Sequence, residues 1–237
     1  MRKLEENEVL QRDFFEREEN QYGISSILNL PLHTFLEQKM LIEKLRGLRR
    51  DDFVVDFGAG SGRITIHLLQ HHYAVCAVDI SRKSLRNLRE AAKKLSLPLV
   101  KTSESLPKNK KFQAIVGADI LHHVDMHTYL PIFYSSLRKG GKVVFSEPGA
   151  FNPSWYMYLP LFASWKVEKG VINCSYKGLL GTFRKYGFTN IKITGLGLFP
   201  RPFFNWSRTL CHLNDQLGNA LFLKLFAYRY IIEATKD

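Results

Sequence analysis

From residue 52 onward, short apolar runs alternate with amphipathic stretches. Runs rich in β-branched residues predict strands at 52 to 57, 74 to 79, 98 to 102, 112 to 118 and 141 to 147, and the helical period predicts helices over 62 to 71, 82 to 96 and 127 to 138 between them. The second helix has the plainest pattern: Ser81 can cap it, Leu85, Leu88, Ala92 and Leu95 recur on one face, and Arg86, Arg89 and Lys93 point away. Such alternation argues for parallel strands joined by crossover helices, an α/β fold with a doubly wound, mostly parallel sheet.

After the fifth strand the pattern changes. Residues 148 to 174 hold three prolines and six large aromatics without a clean period, which predicts an irregular insertion or lid. A helix near 175 to 186 leads through "YGF" to a strand near 189 to 198, and a helical stretch near 206 to 226 and a last strand, "YRYIIEAT", follow. Residues 1 to 48 read as a helical N-terminal cover in which "FLEQKMLIEKLRGL" has the helix period. No repeat or low-complexity linker divides the 237 residues, which are therefore expected to form a single domain.

Composition narrows the classes. Hydrophobic residues make up 45% and charged residues 24%, as in soluble globular proteins and unlike disordered or fibrous chains. The first residues lack the apolar core of a signal peptide, and no apolar run approaches the roughly 20 residues of a membrane span, so a cytoplasmic protein is expected. Cys76, Cys174 and Cys211 lie far apart without a CxxC pair; reduced thiols are expected, and no metal site. The net charge of +12 is uneven, with 16 Lys/Arg against 14 Asp/Glu up to residue 100 and 18 against 8 beyond it. Such a field attracts RNA, anionic lipid or an anionic substrate, although the basic residues come singly or in pairs.

The chemistry starts at "VVDFGAGSGRIT", residues 54 to 65. Gly58, Gly60 and Gly62 after a first strand let the backbone turn tightly and bring amide N–H groups, with Ala59 and Ser61, close to a ligand. A dinucleotide loop would place a small residue where Arg63 stands. Asp56, two residues before the first glycine, suits a ligand bearing a cation, and Asp79 ends the second strand where a carboxylate can accept from both ribose hydroxyls. An adenosine ligand carrying a cation fits both acids, and S-adenosylmethionine answers that description.

With these residues the sequence resembles the class I S-adenosylmethionine-dependent methyltransferases. "VVDFGAGSG" is similar to their first motif, "VCAVDIS" to the acidic second, "FQAIVGADILHHV" to the fourth strand and its turn, "LRKGGKVVFSEPG" to the fifth strand, and "LLGTFRKYGFTNIKI" to the lead into the sixth. The resemblance covers most of the chain. It implies a Rossmann-like seven-stranded sheet with an antiparallel last strand, S-adenosylmethionine as cofactor, and Ile80 beside Asp79 in its site. Where many relatives hold the adenine amino group with an acid, the aligned position is Thr102, so Thr102, Ser103 or Glu104, or the backbone, is expected to make that contact.

Methyl transfer from a sulfonium is an in-line displacement, helped mainly by positioning in a dry pocket. A base is needed only where the acceptor must lose a proton. His122 and His123 after strand four, and Glu147 at the end of strand five, are the candidate catalytic residues; Asp119 is expected at the cofactor's methionine end. Tyr22 and the lid aromatics Trp155, Tyr156, Tyr158, Phe162 and Trp165, with Phe203, Phe204 and Trp206, are candidates to wall an apolar or ring-bearing acceptor, and the "FFERE" segment, residues 14 to 18, is expected to fold over the pocket with Tyr22 as part of the same cover.

The leading expectation is methyl transfer to an oxygen, or to a nitrogen or carbon, of a small apolar, aromatic or glycosidic metabolite, in the manner of quinone-pathway and natural-product enzymes. An RNA methyltransferase is the alternative suggested by the basic C-terminal part, although "ADILHH" lacks the Asn/Asp-Pro-Pro-Tyr loop of enzymes that methylate base amino groups. A third reading is a cofactor-binding partner subunit without catalysis. Peripheral membrane contact is compatible with the basic surface and the aromatics, and no DNA partner is expected.

Overall fold

The computed structural model describes residues 6–17, 24–49, 52–98, 100–162 and 165–237. Three helices precede the sheet: α1 (Glu6–Arg17), α2 (Ile24–Leu28) and α3 (Leu32–Glu43). Strands β1 (Phe53–Phe57), β2 (Ala74–Val78), β3 (Lys101–Ser103), β4 (Phe112–Ala118) and β5 (Leu137–Pro148) pair in parallel. Helices α4 (Arg63–Gln70), α5 (Arg82–Lys94) and α6 (Met126–Ser136) connect them. Strand order is β3-β2-β1-β4-β5-β7-β6, with β7 (Arg229–Thr235) antiparallel between β5 and β6 (Thr189–Leu196). This is the doubly wound, mostly parallel seven-stranded sheet that the alternation predicts.

Alternate strand residues face opposite layers, so neighbours such as Val54 and Val55 enter different cores. One core packs α3, α4 and α5 against the sheet through Leu41, Ile66, Leu68, Leu85 and Leu88. The other packs α6 and α9 (Tyr176–Lys185) through Leu130, Phe133, Leu179 and Phe183. Ser81 caps α5 by accepting from the Ser84 amide, as its position in the sequence implies.

Several boundaries differ from the sequence expectation, three of them by enough to carry a physical reason. Strand β3 is only three residues long and starts beyond Pro98, which has no N–H to give a ladder. Strand β5 starts at Leu137, opposite Phe112 and ahead of a register shift, so α6 stops at Ser136. The stretch at 206 to 226 divides into α10 (Arg208–Asn219) and a 3-10 turn, Leu223–Phe226, because Ala220 leaves the helix in an extended conformation; within α10, Gly218 passes so close to the end of β6 that a Cβ there would lie 2.5 Å from the Gly197 carbonyl.

The expected irregular segment at 148 to 174 is instead helical: α7 (Pro153–Phe162), α8 (Trp165–Glu168) and a 3-10 turn, Lys169–Asn173. Its apolar side chains serve several faces at once, which erases any single stripe. Trp155 stacks on Tyr228 with ring centroids 4.4 Å apart, and Leu159, Val167 and Val171 are buried, whereas Met157 and Tyr158 are exposed. Among the described residues no helix is long and apolar enough to cross a membrane.

Candidate active site

The loops at the C-terminal ends of β1, β2 and β4 open into one cavity of about 1920 Å³. In an open α/β sheet this is where strands running in parallel leave a crevice for ligands. Gly58, Gly60 and Gly62 all have positive φ, at 74°, 51° and 103°, which explains three glycines in five residues. At Gly58 a Cβ would also lie 2.5 Å from Ile120 Cγ1, whereas Gly60 faces open space. The loop thus brings bare backbone to the cavity wall.

Two acids frame this loop. Asp56, at the penultimate position of β1, is buried; its Oδ2 accepts from the Thr65 hydroxyl at 2.6 Å, and its Oδ1 has no hydrogen-bond partner among the described residues. Burial pushes its carboxyl up to about 7 against the opposing Thr65 bond. Asp79 follows β2 and accepts from the Gly60 amide at 2.7 Å and the Ser81 amide at 2.8 Å. Burial raises its carboxyl, and these two bonds oppose the rise. Asp79 therefore ties the glycine loop to the start of α5.

A second set of charges lies beneath. Asp119, with φ of 57°, accepts from Arg63 Nη2 at 2.9 Å and Arg229 Nη2 at 2.6 Å. Burial alone would raise its carboxyl, but the two guanidinium groups hold it well below the usual carboxylate range. Arg229 in turn pairs with Glu37 of α3 at 3.2 Å, and Glu37 also meets Arg201 at 3.2 Å and the Ser146 hydroxyl at 2.7 Å. Arg201 closes the chain on Asp215. The buried charges balance in sign, as their burial requires.

The histidine pair follows Asp119. His122 Nδ1 lies 2.6 Å from Glu147 Oε2, and its Nε2 lies 3.1 Å from Glu168 Oε2. Burial alone would favour neutral imidazole, but the two carboxylates push His122 up to about 10, so it is a cation at neutral pH. His123, with ring centroids 4.0 Å from His122, is held well below its ordinary value by burial and then by the neighbouring cation. The two histidines thus carry different charge. His122, His123 and Glu168 bring one donor atom each within 4.8 Å of one another, a spacing compatible with a metal ion; such an ion would have to displace the His122 proton.

The cavity brings together Asp56, Gly58, Ala59, Gly60, Ser61, Asp79, Ile80, Ser103, Glu104, Asp119, His122, His123, Trp155 and Tyr158 from the sequence candidates. The others lie elsewhere. Gly62 packs on Leu88 of α5, and the Thr102 hydroxyl accepts from Arg89. Glu147 is fully buried: its Oε1 accepts from the Ile120 and Leu121 amides and its Oε2 binds His122, so it shapes the turn and cannot meet an acceptor. Tyr156 turns away to bond the Ala150 carbonyl, Trp165 is exposed away from the cavity lining, and Phe204 does not line the cavity. Phe203 and Trp206 point into solvent. Tyr22 and the Phe162 side chain lie outside the described residues.

Phe14, Phe15 and Glu16 of the "FFERE" segment line the cavity, as the sequence expects of a cover, whereas the contacts that hold this helix and two wall residues escaped sequence reading. Helix α1 roofs the cavity with Phe14 and Phe15 and is pinned by polar contacts: Asn7 to the His123 carbonyl, Gln11 to the Val167 carbonyl, Glu8 to the Tyr129 hydroxyl and Glu16 to the Ser81 hydroxyl. Because its inward face buries Glu8 and Gln11, no apolar stripe marks it. Arg229 and Glu168 stand alone in the sequence among apolar or basic neighbours, and only the fold brings them to this wall. A conspicuous signal did exist for Arg229, the one cation in a largely apolar strand.

Residues 33–193 match the family described as a methyltransferase domain, and the chain belongs to that family. A curated methyltransferase of Mycobacterium tuberculosis, itself uncharacterized, is 34% identical over 91 residues, 38% of this chain and 37% of that protein. The chain thus matches well under half of that relative's length. Among solved structures, a geranyl diphosphate C-methyltransferase from Streptomyces coelicolor, in complex with Mg2+, geranyl-S-thiolodiphosphate and S-adenosyl-L-homocysteine, superposes with a TM-score of 0.69 at 15% identity over the whole of both chains. Phosphoethanolamine N-methyltransferase 2 of Haemonchus contortus, in complex with S-adenosyl-L-methionine, superposes with a TM-score of 0.64 at 17% identity, covering 95% of this chain and 60% of that one. These likenesses establish the fold.

Proposed function

We propose that this chain transfers a methyl group from S-adenosylmethionine to a small, largely apolar acceptor. The observation that carries the reading is Asp56 Oδ1, a buried carboxylate oxygen at the cavity wall with no hydrogen-bond partner among the described residues. Such an atom is costly unless a donor meets it, and an ammonium group is the donor that gains most from a carboxylate. Asp79, at the next strand end, retains acceptor capacity for a pair of hydroxyls beyond its two amide bonds. The bare loop from Gly58 to Ser61 admits close approach between these acids. When bound, the cofactor supplies a methyl group on a sulfonium, already activated for displacement.

The residues around it would bind, orient and exclude water. Trp155, Tyr158 and Leu159 offer an apolar wall for the acceptor, and α1 covers the opening with Phe14 and Phe15. His122, cationic and gripped by two carboxylates, holds the turn and keeps its proton. Neutral His123 is the imidazole left to take a proton from a hydroxyl acceptor.

The test supplies purified protein with methyl-labelled S-adenosylmethionine and a host extract divided into organic-soluble, polar small-molecule, RNA and protein fractions. Label in a small-molecule fraction supports this reading. Label confined to RNA or protein, or none from a sample that binds the cofactor, overturns it.

A further inference from the structure

Residues 199 to 226 join β6 to β7 and display large apolar side chains to solvent. Phe203 is 72% exposed, Trp206 78%, Leu221 82% and Phe222 81%, and Phe199 and Phe226 are also exposed. Isolated apolar residues on a surface are ordinary; this density within 28 residues is not. The segment is firmly held. Asn214 Oδ1 accepts from the Leu198 and Phe199 amides, and Asn152 Nδ2 donates to the Leu198 and Phe226 carbonyls, closing both ends of the segment on one side chain. The Trp206 indole N–H is already bonded to the Phe203 carbonyl, so the ring can enter an apolar phase without stranding a donor.

We propose that this face docks on an anionic lipid bilayer. The charge pattern selects that occupant. The segment carries four charges, Arg201, Arg208, Asp215 and Lys224. Its single acid, Asp215, is taken by Arg201 through bonds of 2.9 and 3.0 Å, which leaves the apolar side chains accompanied by the exposed cation Arg208 and by the half-buried Lys224, whose Nζ lies 5.8 Å over the Tyr176 ring. Anionic headgroups complement that set, and the +12 charge of the chain adds attraction from a distance. A two-fold contact with a second copy would use the same patch on both sides and bring like charges together. Protruding aromatic and leucine side chains with basic companions are also the chemistry that enters the headgroup boundary.

Docking would anchor a segment that is tied to the cavity wall. Asn152, which ties the segment ends, lies three residues before Trp155 of the cavity wall, and Trp155 Nε1 donates to the Tyr228 carbonyl at the start of β7. An acceptor with a long apolar portion would reach the cavity from the lipid. That consequence rests on the methyl-transfer reading, whereas the docking surface does not.

The experiment sediments the full chain, without cofactor, with vesicles of phosphatidylcholine alone or mixed with phosphatidylglycerol. Wild type is expected to partition onto the mixed vesicles, less so at high salt, and Trp206→Ser with Phe222→Ser should weaken partitioning by about tenfold or more. Both side chains are exposed, so the variant keeps its fold, checked by its melting temperature. Arg208→Glu with Lys224→Glu should abolish the preference for the anionic vesicles. Failure to sediment with either vesicle, sedimentation indifferent to the Trp206 and Phe222 changes, or a solution dimer that those changes convert to monomer overturns the proposal. Because no methyl transfer is measured, failure here leaves the proposed activity to its own test.

Discussion

Arg229 Nη2 donates to Asp119 Oδ1 at 2.6 Å, joining the first residue of the antiparallel strand β7 to the residue after β4. The pair couples the far part of the sheet to the cavity floor, and through Glu37 it reaches helix α3 on the N-terminal side. Removing one member of a buried, balanced set strands its partners. Arg229→Met is therefore expected to cost about 3–5 kcal/mol of stability. Urea unfolding measures it, and a loss below about 1 kcal/mol, the range of an exposed pair, would contradict the network.

Asp56 makes cofactor affinity depend on pH. Its carboxyl is raised to about 7 by burial, and an ammonium group prefers the ionised form. Affinity for S-adenosylmethionine should therefore rise from pH 6 to pH 8, as the carboxylate forms. Calorimetric titration of wild type and Asp56→Asn checks this: the variant should bind more weakly at pH 8 and lose the pH dependence. Equal slopes in both proteins would remove Asp56 from the account.

His122 ties stability to the alkaline side. Its folded value, about 10, is above the ordinary 6.5, so its contribution is fully present below pH 6.5 and is lost as pH rises through about 10. Unfolding free energy should fall across that window, and His122→Gln should flatten the fall. An equally steep decline in the variant would mean that the imidazole is neutral in the folded protein.

His123 and His122 should separate in kinetics. If the acceptor loses a proton, His123→Asn should lower kcat about a hundredfold or more while cofactor affinity holds. His122→Gln should instead reduce stability, with a smaller change in kcat. Rates that respond in the reverse order would make His122 the proton carrier.

Hydrophobic period revealed the sheet because each strand feeds two cores and each crossover helix buries one face, as Val54, Val55 and the Leu85–Leu88 stripe illustrate. Local chemistry also made Asp56, Asp79 and the glycine loop visible, since their positions follow directly from strand ends. The "FFERE" aromatics marked a cover, but the contacts that hold it were hidden for the opposite reason. Helix α1 is attached by Asn7, Gln11 and Glu16 through polar contacts, which leave no periodic trace, and its partners are over 60 residues away. Glu147 looked like an acceptor contact by its place at the end of β5, yet the amides of Ile120 and Leu121 turn inward to claim it. Phe203 and Trp206 had the composition of a pocket wall but face water, a distinction that composition does not carry.

The most direct measurement of the central claim is a calorimetric titration of S-adenosylmethionine into the wild-type chain and into Asp79→Ala, each checked for folding by its melting curve. The account predicts one site in the wild type and affinity at least about tenfold weaker in the variant, through lost charge-assisted contacts and a loosened Gly60 amide. Absence of binding in the wild type, or equal affinity in a folded variant, would contradict it.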